Sequence, residues 1–200
     1  MKKLLFIIST VLVLSMSGMA GATVYTFAPE PNDLYDLDHY SWYTWGIDQT
    51  IPEGEIIQSA SLSFNDIQNW TYYEPNALWV HLLDSITAGV IQGTDPVDPH
   101  DERIDYFAGQ GIELLHWENL PGYAQDLTYT FDPSQIVSLN DYVGDGNFGF
   151  GFDPDCHFYN NGISLSIETS NAPVPEPTTM LLLGCGLAGL GFVRRKKQNA

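Results

Sequence analysis

Apolar and polar residues alternate with a period of two through most of the chain. Ala60, Leu62 and Phe64 alternate with Ser61 and Ser63, and Leu127, Tyr129 and Phe131 with Thr128 and Thr130. Phe148, Phe150 and Phe152 alternate with Gly149 and Gly151, and Ile163, Leu165 and Ile167 with Ser164 and Ser166. Successive side chains of a strand point to opposite faces, so each run predicts a strand with one buried face. Further strands are expected at 23–27, 39–47, 77–84, 103–108 and 112–117, separated by turn clusters such as Ile51-Pro-Glu-Gly and Gly93-Thr-Asp-Pro. A single helix is expected, from Pro133 to Asn140 after Asp132. Phe148–Phe152 and Ile163–Thr169 read as the two arms of a closing hairpin. Eight or nine short strands with no repeat predict an all-β fold, an antiparallel β-sandwich of jelly-roll type, with a closed barrel as second choice.

The two ends break the pattern. Met1-Lys2-Lys3, an apolar run from Leu4 to Met16 and the small residues Ala20-Gly21-Ala22 make a secretory signal peptide over 1–22, cut after Ala22 or, as the nearby alternative, after Ala20. Pro173, Pro175 and Pro177 hold residues 171–177 as an extended linker. Residues 178–193 carry no charge and give roughly 24 Å of helix, short of the ~30 Å hydrocarbon core by an amount that snorkelling and local thinning can cover. Arg194, Arg195, Lys196 and Lys197 then act as a basic stop that keeps residues 194–200 in the cytoplasm. Both ends place the domain, residues 23–170, outside the cytoplasm.

The order Val174-Pro175-Glu176-Pro177, short apolar helix, basic tail resembles a PEP-CTERM protein-sorting signal. That resemblance implies an exosortase as processing enzyme, cleavage near the Pro-Glu-Pro motif, and release or transfer of the domain to the cell surface or the medium. The expected partners are then the Sec translocon, signal peptidase, exosortase, the membrane through the C-terminal helix, and exopolysaccharide.

Charge narrows the picture further. Between residues 23 and 172 a single base, Arg103, faces 24 acids, a formal charge of −23. Such a surface cannot replace the counterions on phosphate, so nucleic acid is excluded as a partner. Of the two cysteines, Cys185 lies in the apolar tail, which leaves Cys156 without a partner inside the domain.

Three kinds of chemistry are worth testing. Asp95, Asp98, Asp101, Glu102 and Asp105 crowd one loop and could supply the six to eight oxygens that Ca²⁺ takes, which makes calcium the cofactor to consider. Asp153, Asp155 and Asn160 are a second such set, and equally a set of turn caps. Trp42, Tyr43 and Trp45 in one strand, with Trp70, Tyr72 and Tyr73 in one loop, offer flat faces for sugar rings, although core packing claims most aromatics. Glu113 and Glu118 as a glycosidase pair, and Cys156 with His157 as a dyad, have no supporting spacing. The expectation is a non-catalytic protein of the cell surface or extracellular matrix, associated with exopolysaccharide or biofilm. The alternatives are a carbohydrate- or calcium-binding module, or a glycan-acting enzyme.

Overall fold

The computed structural model describes residues 22–70, 76–95, 104–144 and 146–171. The signal peptide up to Ala20, the linker with Val174–Pro177, the apolar segment 178–193 and Arg194–Lys197 lie outside the described residues. So do Tyr72, Tyr73, Asp98, Asp101 and Glu102. Among the described residues no helix is long and apolar enough to cross a membrane.

Among the described residues ten strands form: β1 (Ala22–Phe27), β2 (Ser41–Ile47), β3 (Glu55–Asn69), β4 (Ala77–Asp84), β5 (Gly89–Thr94), β6 (Ile112–Glu118), β7 (Gln125–Thr130), β8 (Phe148–Pro154), β9 (Phe158–Tyr159) and β10 (Gly162–Asn171). One sheet has the order β1-β10-β3-β7, with β9 on β3, and the other β5-β2-β8-β4-β6. The pairing is antiparallel, with Tyr25 opposite Ile167 and Val80 opposite Phe152. Without the added β5 and β9, each connection changes sheets except β4 to β6, which is the winding of a jelly roll. Ala22, the expected end of the leader, is the first residue of β1 and pairs with Ser170.

The core lies between the sheets because the alternating apolar faces have nowhere else to go. Phe64 of β3 meets Phe152 of β8 at 6.2 Å and Trp117 of β6 at 5.0 Å, both edge-on, which joins the two sheets. Phe148, Phe150 and Phe152 are buried, as expected, but so is every other residue of β8. The outer face of that strand is covered too. A Cβ on Gly149 would come within 2.2 Å of the Trp45 carbonyl oxygen, and one on Gly151 within 2.9 Å of the Phe107 ring. Glycine is therefore required there for space.

The expected α-helix, α1 (Pro133–Val143), begins where the sequence places it and runs three residues further. Asp132 caps it, taking the amides of Ser134 and Gln135 at 2.7 and 2.9 Å, while Gln135 Oε1 takes the Asp132 amide at 2.9 Å. Gln135, Leu139 and Val143, four residues apart, form its buried face. Asn140 fastens it to β3, taking the Ile57 amide at 2.9 Å and giving to the Ile57 carbonyl at 3.1 Å.

Two expectations are corrected. Phe148–Phe152 and Ile163–Thr169 do not pair: β8 lies between β2 and β4, and β10 between β1 and β3. Alternation reports that one face of a strand is buried, but not which strand lies beside it. The expected strand over 103–108 is a turn among its described residues, while β5, a glycine-bearing edge strand, forms instead. Asp105 bends the chain by taking the Phe107 amide on Oδ1 at 2.9 Å and the Ala108 amide on its carbonyl at 3.1 Å.

Candidate functional site

That turn, residues 105–111, closes over the outer face of β4 and β8 and gathers the most unusual charges in the domain. His81 interrupts the apolar run of β4 at a β-bulge, where the register with β6 shifts between Val80 and His81. It is 3% exposed. Its Nδ1 lies 3.0 Å from the Gln110 carbonyl oxygen and its Nε2 2.8 Å from Asp105 Oδ2. Two acceptors on one ring call for two N–H groups, hence an imidazolium paired with a carboxylate. Burial alone would favour the neutral ring, but Asp105, the Gln110 carbonyl and Glu113 outweigh it, and the pKa of His81 is raised.

Asp153, at the end of β8, is 2% exposed and takes the Tyr106 amide at 2.7 Å. Burial pushes its carboxyl up to about 7 against the pull of that amide, and the negative charges of Asp95, Asp105 and Asp155 push the same way. Aromatic rings hold the turn in place. Tyr106 stacks on Trp42 at 5.0 Å, and Phe107 meets Trp42 edge-on at 6.3 Å above Gly151. A cavity of about 380 Å³ lies beside them, lined by Trp42, Thr44, Asp84 and Tyr142 among others.

The fold thus brings Asp95 and Asp105 of the acidic loop, and Asp155 of the second set, near enough to Asp153 for their charges to act on it. Among the described residues these four do not bring three donor atoms within 4.8 Å of one another, and Asp105 is already engaged by His81 and the Phe107 amide. Asn160 does not join them; it caps a turn, giving to the Asp33 carbonyl at 2.8 Å and taking the Gly162 amide at 3.0 Å. His81, Asp105 and Glu113 each bring one donor atom within 4.8 Å of the others, but both His81 nitrogens are already committed. Nothing in the local pattern marks His81 as a site residue beyond its being a lone histidine in an apolar strand. Its partners are far away in sequence.

The aromatic platform divides. Tyr43 and Trp45 are 0% and 3% exposed and belong to the core, so they present no open face to a sugar. Trp42 is occupied by Tyr106 and by Gly93, where a Cβ would lie 2.0 Å from its ring. Trp70 alone of the described four stands out, at 56% exposed. Glu113 and Glu118 sit near opposite ends of β6, about 16 Å apart along the strand, wider than the ~5–9.5 Å that glycoside hydrolysis uses. Cys156 and His157 do not pair. The thiol donates to Asn69 Oδ1 at 3.1 Å, while His157 Nδ1 faces Asp38 at 3.0 Å.

No curated protein matches the chain. Solved structures give remote likenesses. A latent aurone synthase (polyphenol oxidase) from its natural source has a TM-score of 0.36 and 10% identity, over 74% of this chain and 24% of that one. The infectious bursal disease virus Gx strain gives 0.29 and 10%, over 78% and 33%. The CBM22-1-GH10 modules of the Clostridium thermocellum endo-1,4-beta-D-xylanase 10B give 0.21 and 8%, over 72% and 19%. The chain spans about a quarter of the aurone synthase, and at these scores none of the likenesses bears on function. The family model of the PEP-CTERM protein-sorting motif matches residues 173–196. The chain therefore carries a PEP-CTERM sorting motif at its C-terminus, the mark of an exported protein sorted by an exosortase.

Proposed function

We propose that this is a non-catalytic protein of the cell surface or extracellular matrix, associated with exopolysaccharide. It passes through the Sec translocon, loses its leader to signal peptidase, and is anchored by residues 178–193 until exosortase cuts near Glu176. The sorting motif at residues 173–196 is the observation that carries this reading. The domain's formal charge of −23 supports it, because an acidic surface resists self-association at high local concentration. The test is mass spectrometry of the C-terminus in cells with and without the exosortase. Loss of the residues after the Pro-Glu-Pro motif only where the enzyme is present is expected; an intact, identical C-terminus in both strains overturns it.

A second reading is a carbohydrate- or calcium-binding module, whose calcium half draws on the pressure of Asp95, Asp105 and Asp155 on the buried Asp153 carboxyl. A divalent cation would relieve that repulsion. Thermal unfolding of the full chain in Ca²⁺ and in chelator separates the readings, followed by a glycan array under both conditions. Calcium-dependent stabilisation with glycan signal supports the module; identical melting and no glycan signal remove it.

A further inference from the structure

A different cluster lies where the loop before β2 meets the crossing from β8 to β10. His39 Nδ1 is 3.1 Å from Asp38 Oδ1, and His157 Nδ1 is 3.0 Å from the same oxygen. One donor atom from each of the three lies within 4.8 Å of the other two. Tetrahedral donors held ~2.0–2.1 Å from a zinc-sized ion stand about 3.4 Å apart. The two separations from Asp38 Oδ1 are within a few tenths of an ångström of that spacing, and the remaining pair lies within 4.8 Å.

The backbone around these residues is already fixed. The Asp38 amide donates to the Tyr43 hydroxyl at 2.8 Å, the Phe158 amide to the Leu37 carbonyl at 3.3 Å, and the Trp70 amide to the His157 carbonyl at 2.9 Å. The chain enters through Leu34, Tyr35, Asp36 and Leu37, all at positive φ between 42° and 59°, a conformation that persists only where the surroundings enforce it. Little ordering would be lost on binding. The His157 ring also has a preferred side. Its Nε2 is buried and has no hydrogen-bond partner among the described residues, and the ring as a whole packs against Trp70 and Tyr159 with centroids 5.6 Å and 4.7 Å away. Nδ1, beside Asp38 and His39, is the nitrogen able to take a ligand. The Asp38, His39 and His157 side chains are 49%, 32% and 20% exposed, which leaves an entry path and room for a further ligand.

We infer that Asp38, His39 and His157 bind one divalent first-row transition-metal ion of the zinc–copper class. Two imidazole nitrogens and one carboxylate oxygen suit such ions, whereas Ca²⁺ and Mg²⁺ select all-oxygen shells. The ion joins two segments 119 residues apart in the chain and does the work of a cross-link between them.

The test is titration of the untagged full-length chain with Zn²⁺ by calorimetry, and with Co²⁺ by visible absorption. One ion per chain and tetrahedral ligand-field bands are expected, with no competition from Ca²⁺. D38N, H39Q and H157Q should each weaken Zn²⁺ binding at least ~10-fold. H39Q, on the exposed ligand, keeps the fold by circular dichroism. E113Q, in the other histidine–carboxylate group, should bind like the parent. Absence of saturable Zn²⁺ binding, or binding equally tight in H39Q and H157Q, overturns the assignment.

Discussion

Asp153 ties the stability of the fold to pH. Its carboxyl is displaced upward from 3.8 to about 7, so the folded state holds that proton more tightly than the unfolded chain. Its contribution is therefore fully present below about pH 4 and is lost as pH rises towards 7. Above both values the displacement costs the fold roughly 4 kcal/mol. D153N keeps an acceptor for the Tyr106 amide and removes the charge. It should raise stability at pH 8 by ~2–4 kcal/mol and flatten the fall between pH 4 and 7, read from urea midpoints across pH. His81 works in the same direction. Its raised pKa means its ion pair stabilises the fold below about pH 6.5 and fades as pH climbs through the higher folded value. Phe64, fully buried between the sheets, is the packing counterpart: F64A should cost about 3–5 kcal/mol by denaturant unfolding.

At the level of elements, α1 and β8 show two different kinds of legibility. The helix start was readable because Asp132, Pro133 and Gln135 are local neighbours whose bonds close within one turn. D132A removes the acceptor for two amides and should lower stability by about 1 kcal/mol in thermal melts. The inward face of β8 was readable from its three phenylalanines. The need for glycine on its outer face was not, because that need is set by Phe107 and Trp45. G151A forces the Phe107 ring away from a contact at 2.9 Å and should cost ~1–3 kcal/mol, with loss of near-ultraviolet dichroism from the Trp42–Tyr106 stack. The acidic-loop strand failed for a related reason. Asp105 side-chain bonds bend residues whose composition suits an extended chain.

The whole molecule is governed by charge imbalance. Every ion pair recorded among the described residues has histidine as its cation. With one base against 24 acids in the domain, long-range repulsion works against the compact state. Salt should therefore stabilise it: the urea midpoint at pH 8 should rise between low ionic strength and 0.15 M, where the Debye length falls to ~8 Å. A midpoint that falls with salt would mean that attractive surface pairs dominate. The same imbalance explains why the acidic residues could be counted but not placed as a site. Asp95 and Asp105 are near in sequence, but Asp153 and Asp155 reach them only when β8 is threaded between β2 and β4.

Export, strand class, helix start and buried faces follow from residues adjacent along the chain. The sorting motif is contiguous, periodicity spans a few residues, and a cap bonds within its own turn. Partner strands, the covered outer face of β8, the His81–Asp105–Asp153 network and the meeting of Asp38 and His39 with His157 were decided by the tertiary structure alone. A jelly roll brings together residues far apart in sequence, 119 positions in the last case, and local pattern carries no record of such contacts.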